Sequence, residues 1–598
     1  MTVIKNIVRP TLAVLGLAFM SSLVSCKDYL DVEPTAIQSS EAVFSTLSGA
    51  YNAVIGAYAP MAGDQAYGSR ISTYFPYDSE DFLNSPTGTD AGEGRRGIAR
   101  YAAVPNNADV RNAWNTLYRG VERTNICIKY IPEMSQFAGG ADQAAVKRLY
   151  GEALTLRAQY YFELVRNWGD VPAPYEPTVT GQDFNLPRVK RNAILNRMID
   201  DLAIAEGLVP WRTASGTSNE RITKGAVKAL RALLALYRAS YYFDSESATM
   251  VQAADKEDFY KIVRTECSDL MANRGEHDLN TRFEETFRAI CEYRPDAKNE
   301  LIFQVAMGGG GNATDSKLGY ATGPRVTAIS SAFGATTQGS LVATPTYFYA
   351  FDSTDTRRDV TLAAYSIDAG PKRLHTTTVA IYDGKMRRDW SNNATLRASD
   401  SQSMGFNWPL IRFSDVLLMF AEADNELNNG PSTAAISALS EVRTRAYGSA
   451  TPPAIPSGYA NFREAIIRER NLEFGGEGIR KYDLIRWNRL GSTFQQIKTT
   501  LRTWTDPANL NTVYPQYIYY RTPTTLGPLQ ILNSYYKPSS LSAVPGGGSV
   551  TRVNWVSSSI TTDRINDIAS GYTESHQLLP IPAESINLNS KLTQNPGY

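Results

Sequence analysis

Apolar and polar residues alternate with a helical period through most of the first half of the chain. Phe44, Leu47, Tyr51, Val54 and Tyr58 recur three or four apart, behind Ser39 and Ser40 as candidate caps. That pattern predicts a helix running to about 58. Further helices are predicted over about 110–130, 143–168, 191–206, 222–242 and 256–272. In the stretch 143–168, Leu149, Ala153, Leu156, Tyr160 and Leu164 lie along one stripe.

The texture changes after about residue 300. Leu301-Ile302-Phe303-Gln304-Val305 reads as a strand. It runs into Gly308-Gly309-Gly310-Gly311 and a stretch rich in Ser, Thr and Gly, which is loop composition. Helices return at about 412–428, 432–446 and 461–475. In the first of these Val416, Met419, Phe420, Ala423 and Leu427 share a face. The segment 504–575, rich in Tyr, Pro, Ser and Gly, reads as long ordered loops.

The N-terminus carries a separate signal. Lys5 and Arg9 precede a 14-residue apolar run from Thr11 to Val24, and Leu23-Val24-Ser25 leads to Cys26. A basic start, an apolar stretch and small residues before a cleavage point make a secretory signal over residues 1–25. A spanning helix needs about 20 apolar residues, so this run is a poor anchor by itself. Cysteine in the first mature position marks lipid attachment at Cys26, with palmitate among the chains. An ordinary cleaved signal beside a chance cysteine is the alternative.

Charge and cysteine content narrow the partners. The 598 residues hold 60 basic and 60 acidic side chains, and removing the first 25 leaves 58 against 60. No field of one sign draws the chain to nucleic acid. Cys127, Cys267 and Cys291 cannot all pair; a Cys267–Cys291 bridge is one arrangement. Tyrosine is prominent, 34 against 21 Phe and 8 Trp. It joins a flat apolar face to a polar tip, useful against half-polar ligands and equally useful in a core.

The C-terminal third holds the sharpest motifs. They are Arg412-Phe413-Ser414-Asp415, then Arg468-Glu469-Arg470-Asn471-Leu472-Glu473-Phe474-Gly475-Gly476-Glu477-Gly478, and Arg480-Lys481-Tyr482-Asp483-Leu484-Ile485-Arg486-Trp487. Leu578-Leu579-Pro580-Ile581-Pro582 follows, and the chain closes Gln594-Asn595-Pro596-Gly597-Tyr598. With Cys26-Lys27-Asp28-Tyr29-Leu30, Trp168-Gly169-Asp170-Val171-Pro172, Arg221-Ile222-Thr223-Lys224-Gly225 and Arg387-Arg388-Asp389-Trp390, these segments closely resemble the SusD/RagB family. The matches run from residue 26 to 598 in the family's order.

That resemblance implies a mainly α fold. Tetratricopeptide-like helix pairs form the scaffold, and a loop-rich irregular region carries the binding surface. It implies one SusD-like body over 26–598: a helical part at about 36–272, loop-rich ligand or partner regions at about 300–405 and 504–575, and a helical motif region at about 412–490. It also implies a lipid-anchored, outward-facing protein of the cell outer membrane. Such a protein captures a glycan, or a peptide in RagB-like members, and delivers it to a SusC-like TonB-dependent transporter. No cofactor is expected and the protein is not an enzyme.

The residues themselves agree with binding rather than chemistry. Glu469 and Glu473 are a helical turn apart, but acids at that spacing beside arginines are commonly structural. With Arg470, Arg480 and Arg486 they predict a hydrogen-bonded network that fixes helix ends and the Gly475–Gly478 turn, and Glu464 with Arg468 predicts a helical ion pair. The three histidines, His277, His375 and His576, are scattered, and no zinc motif or nucleophile elbow is present. Asp78, Glu80 and Asp81 fall short of a calcium cage. The glycine run at 308–311 lacks a following Lys-Ser/Thr and reads as a loop.

Sugars need flat aromatic faces beside polar donors and acceptors. Two loop regions offer that mix. The first supplies Tyr67, Arg70, Tyr74, Tyr77, Asp78, Asp81 and Asn84; the second supplies Asp315, Tyr320 and Arg325. These ten are the candidate ligand contacts. Trp504, Tyr517, Tyr519, Tyr520 and Trp555 form a third region, for ligand, transporter or packing.

Overall fold

The computed structural model describes residues 39–84, 92–216, 220–539 and 549–598. The export signal and Cys26 lie outside them. Helices dominate: α1 Leu47–Tyr58, α2 Ala108–Tyr130, α3 Gln143–Trp168, α4 Arg191–Glu206, α5 Lys224–Ala239, α6 Lys256–Ala272, α7 Phe413–Asn428 and α8 Thr433–Tyr447. Successive members pack on one another, giving four helix pairs in a row among the described residues. Helices α9 Tyr459–Phe474, α10 Arg480–Arg486 and α11 Leu490–Thr505 follow.

Local chemistry sets these elements. The first predicted helix is broken: Ser40–Val43 and α1 are separate, each with its own cap, Ser39 accepting from Ala42 N–H and Thr46 from Gly49 N–H. The chain turns back so tightly that a Cβ on Gly49 would sit 1.9 Å from the Val43 carbonyl oxygen. Asn107 caps α2 by accepting from the N–H groups of Asp109 and Val110. Gly120 of α2 makes room for the Tyr160 ring of α3, where a Cβ would come within 2.3 Å. The Tyr160 hydroxyl then donates to Ala57 O in α1 at 2.6 Å. One tyrosine thus locks three helices.

The chain's last residues close on α3. Trp168 Nε1 donates to Pro580 O at 3.0 Å, and Asn595 Nδ2 donates to Trp168 O at 3.0 Å.

The motif region forms a buried ion network. Arg412 reaches Glu300 at 2.7 Å, Glu473 at 2.9 Å and Glu477 at 2.7 Å. Arg357 joins Glu469 at 2.8 Å and Glu473 at 3.2 Å, and Arg470 bridges Asp415 and Asp483. Burial alone raises the Glu473 carboxyl, but the fields of Arg445, Arg412 and Arg357 outweigh it and hold the group well below the usual carboxylate range. The predicted network is present. The Glu464–Arg468 pair is not: Glu464 pairs with Arg489 instead, and Arg468 turns to the Ala350 carbonyl.

Short strands cross the loop-rich region: β1 Phe82–Asn84, β2 Leu301–Val305, β3 Leu341–Ala343, β4 Leu362–Ala363, β5 Tyr382–Asp383 and β6 Trp408–Arg412. The order β1-β3-β5-β4 makes one antiparallel sheet, with Phe82 opposite Ala343 and Val342 opposite Tyr382. Strands β2 and β6 pair separately. The segment expected as loops at 504–575 is more regular than its composition indicates. It holds a three-stranded sheet of β7 Tyr517–Arg521, β8 Gln530–Ile531 and β9 Thr551–Asn554, then α12 Thr562–Asp567. Cys127, Cys267 and Cys291 are buried free thiols, so the Cys267–Cys291 bridge is absent. Among the described residues no helix is long and apolar enough to cross a membrane.

Candidate ligand-binding cleft

A surface cleft of about 840 Å³ opens where five chain segments meet. They are Tyr74; Arg95 and Arg96; the stretch 320–342 with Tyr320, Arg325 and Gln338; Tyr382; and Arg564 of α12, and all line the cleft. The volume suits a short oligomer.

Backbone bonds make the cleft loops rigid. Gln338 N–H donates to Tyr320 O at 2.9 Å, and Ser340 N–H to Ala321 O at 2.7 Å. Thr337 Oγ1 donates to Pro324 O at 3.1 Å and accepts from Val326 N–H at 2.7 Å. Gly339 has φ +55, and a Cβ there would lie 2.8 Å from the Tyr382 ring. Only glycine meets both demands, and it leaves Tyr382 lying against the loop beside Arg325. Burial pushes the Tyr382 hydroxyl up, with Arg325 opposing. Tyr74 is flanked by guanidinium groups, Arg70 at 5.8 Å and Arg95 at 5.5 Å from the ring centroid. Partial burial draws Arg95 down, while its bond to Tyr74 and the fields of Asp109 and Asp64 lift it to a net upward shift.

The ten candidate residues divide. Tyr74, Tyr320 and Arg325 line the cleft. The other seven are buried, and their place is behind it. The Tyr67 hydroxyl donates to Glu163 and accepts from Gln159 at 2.8 Å. Arg70 Nε donates to Asp109 at 2.6 Å. Tyr77 packs edge-on to Phe82. Asp78 accepts from Asn84 N–H at 3.0 Å, and burial raises its carboxyl to about 7. Asp81 accepts from Phe82 N–H at 2.8 Å, and Asn84 donates to Thr73 O. Asp315 closes the glycine loop by accepting from Gly311 N–H at 2.7 Å. The expectation that these seven face a ligand is therefore revised: all are buried, and Tyr67, Arg70, Asp78, Asp81 and Asp315 bond to the chain itself, which offsets desolvation, while the Tyr77 hydroxyl and Asn84 Oδ1 are buried without a partner among the described residues.

Asp78 and Asp81 bind backbone amides and Glu80 pairs with Arg480, so the three acids point to protein partners. Among the described residues no cluster has the makings of a metal site. Glu469 and Glu473 are buried and gripped by arginines, out of reach of a glycosidic bond.

Arg95, Arg96, Gln338, Tyr382 and Arg564 were not legible as site residues. The adjacent Arg95-Arg96 pair after Gly92-Glu93-Gly94 was the one local signal available; Arg564 arrives from the far end of the chain. The third aromatic region is a packed body. Tyr349 and Tyr514 stack at 3.6 Å between centroids, Trp504 abuts both, and buried Trp555 donates from Nε1 to the Tyr349 hydroxyl at 2.8 Å.

Scaffold and cleft together define a mainly helical protein in which the loop-rich region beside the helix pairs presents a tyrosine- and arginine-lined surface pocket. Residues 368–598 match the SusD family, and residues 28–236 match a family described as starch-binding and associating with the outer membrane. The chain belongs to the SusD/RagB family. SusD-like protein P25 of Formosa agariphila is 24% identical over 528 residues, 82% of this chain and 92% of that protein. A SusD homolog from Bacteroides thetaiotaomicron superposes with a TM-score of 0.72 at 21% identity, covering 93% of this chain and 97% of its own. A laminarin-binding SusD-like protein gives 0.62 at 20% identity, covering 92% and 99%. Surface glycan-binding protein A from Bacteroides thetaiotaomicron, solved with laminarihexaose, gives 0.62 at 18% identity, covering 92% and 99%.

Proposed function

We propose that this protein captures a glycan in the Tyr74–Tyr320–Tyr382 cleft and hands it to a SusC-like TonB-dependent transporter. The observation that carries the reading is the cleft itself: the half-buried Tyr320, backed by the buried rings of Tyr74 and Tyr382, beside guanidinium, amide and hydroxyl groups on a hydrogen-bonded loop frame. Aromatic faces meet the C–H faces of sugar rings, and the polar groups meet their edges. Laminarin and laminarihexaose binding by proteins of similar fold support it.

The protein acts by binding, without turnover. Residues 1–25 direct export, and lipid on Cys26 holds the body, 26–598, to the outer membrane facing outward. Only two acids, Asp28 and Asp31, stand in the flank Lys27-Asp28-Tyr29-Leu30-Asp31.

Affinity electrophoresis of the full chain through a polysaccharide panel tests capture. Retardation without release of reducing ends is expected. Retardation abolished by oligopeptides favours peptide capture instead, and new reducing ends favour a hydrolase. Protease shaving of intact cells removes the protein if it faces outward.

A further inference from the structure

The cleft's charge is out of keeping with the chain. Lys and Arg balance Asp and Glu overall at 60 each. Of the fifteen described residues lining the cleft, four are arginines and none is Asp or Glu. In the buried motif network Arg357, Arg412 and Arg470 each hold two or more carboxylates, while Arg188, Arg191 and Arg388 are held by carbonyl and amide oxygens. In the cleft, Arg95 reaches Asp109 only at 3.9 Å, and that carboxylate is already held by Arg70 at 2.6 Å. Arg96 has contacts within the protein. Among the described residues, Arg325 and Arg564 have no carboxylate at ion-pair distance. Tyr382 lies beside Arg325, and Asp563 and Asp567 share α12 with Arg564.

Donor and acceptor chemistry turns this imbalance into a preference. A neutral sugar shows hydroxyls, each both donor and acceptor, and a site for it needs strong acceptors as well as donors. Guanidinium is donor-only, and carboxylate is acceptor-only. Like charges lining one concave site repel each other and focus a positive potential into the cleft. An anionic group entering there relieves that repulsion and forms charge-assisted, often bidentate bonds.

We infer that the glycan this cleft takes is anionic, bearing carboxylate or sulfate groups read by Arg325 and Arg564 with Arg95 and Arg96 in the same lining, while the half-buried Tyr320, backed by the buried rings of Tyr74 and Tyr382, packs against it. The inference rests on the glycan-capture reading above and names the ligand class of that site.

The test is affinity electrophoresis of the full chain in detergent. The gels carry polygalacturonate and its methyl ester, a sulfated carrageenan and its desulfated form, laminarin, or starch. Retardation is expected in at least one acidic polymer. Loss on esterification identifies carboxylate as the recognised group, and loss on desulfation identifies sulfate. Added salt should weaken retention. Arg325→Gln and Arg564→Gln should each weaken it about tenfold with melting unchanged, since a bond to a charged group contributes about that factor. Lys261→Gln on the scaffold should leave it unchanged.

Retention by laminarin or starch that is indifferent to both arginine variants overturns the anionic inference and leaves glycan capture standing. Binding of acidic oligopeptides with no polymer retained overturns glycan capture and the inference with it. Retention of nothing in the panel overturns the inference.

Discussion

Asp81 and Gly476 meet across 395 residues: the Gly476 N–H donates to Asp81 Oδ2 at 3.3 Å. The contact ties the loop behind the cleft to the glycine turn of the C-terminal motif. Asp81 also accepts from Phe82 N–H at 2.8 Å, and its carbonyl accepts from Thr344 N–H at 2.9 Å. Gly476 sits at φ +81, with the Asp383 carboxylate 2.9 Å from where a Cβ would stand. One aspartate therefore joins the loop behind the cleft, the sheet and the motif.

Asp81→Ala leaves buried N–H groups without an acceptor and should cost about 2–3 kcal/mol of stability. Urea unfolding checks this. A variant as stable as the parent refutes the role.

Glu473→Ala strips one acid from Arg357, Arg412 and Arg445. It should destabilise the fold by about 3–5 kcal/mol, because cations remain buried and undercompensated. Ligand affinity of the folded fraction should hold. A variant that melts like the parent yet no longer binds contradicts a structural role.

Tyr320 and Tyr77 should part company. Tyr320→Ala, on the half-buried cleft wall, is expected to weaken glycan retention about tenfold with an unchanged melt. Tyr77→Ala empties a core position against Phe82 and should lower stability by about 3–5 kcal/mol. Unaltered retention in Tyr320→Ala removes that ring from the site.

His375 gives a pH signature. Its Nδ1 faces Thr376 O at 2.6 Å and its Nε2 faces the Tyr535 hydroxyl at 2.6 Å. Burial lowers its pKa from 6.5 to about 4, against the Thr376 bond. Between those values the unfolded chain holds a proton that the native chain lacks. Its contribution is complete above pH 6.5 and is lost as the pH falls to about 4. Denaturant melts across that window should show a shallower decline in His375→Gln than in the parent. Identical slopes exclude His375 as the source.

The sequence by itself determined the helices and the family. Periodicity marked 143–168, 191–206 and 256–272 at the bounds the structure shows, because a stripe three or four apart is a local property. The charged motif around Glu469–Glu473 was legible as a network, since many of its members are neighbours in the chain. Composition misread 504–575: tyrosine- and proline-rich loops and short paired strands look alike until partners are known.

The cleft was decided only by tertiary structure. Tyr74, Tyr77 and Tyr320 are one residue type on loops, yet Tyr74 and Tyr77 are buried in the core, Tyr74 touching the cleft lining only by its edge, while Tyr320 is half-buried on the cleft wall. Their burial depends on what packs behind them, and spacing along the chain does not record it. Arg95, Arg325, Tyr382 and Arg564 converge from four segments separated by between 57 and 230 positions. Only the folded path brings those guanidinium groups to one cleft, and only there does a chain of balanced charge become locally positive.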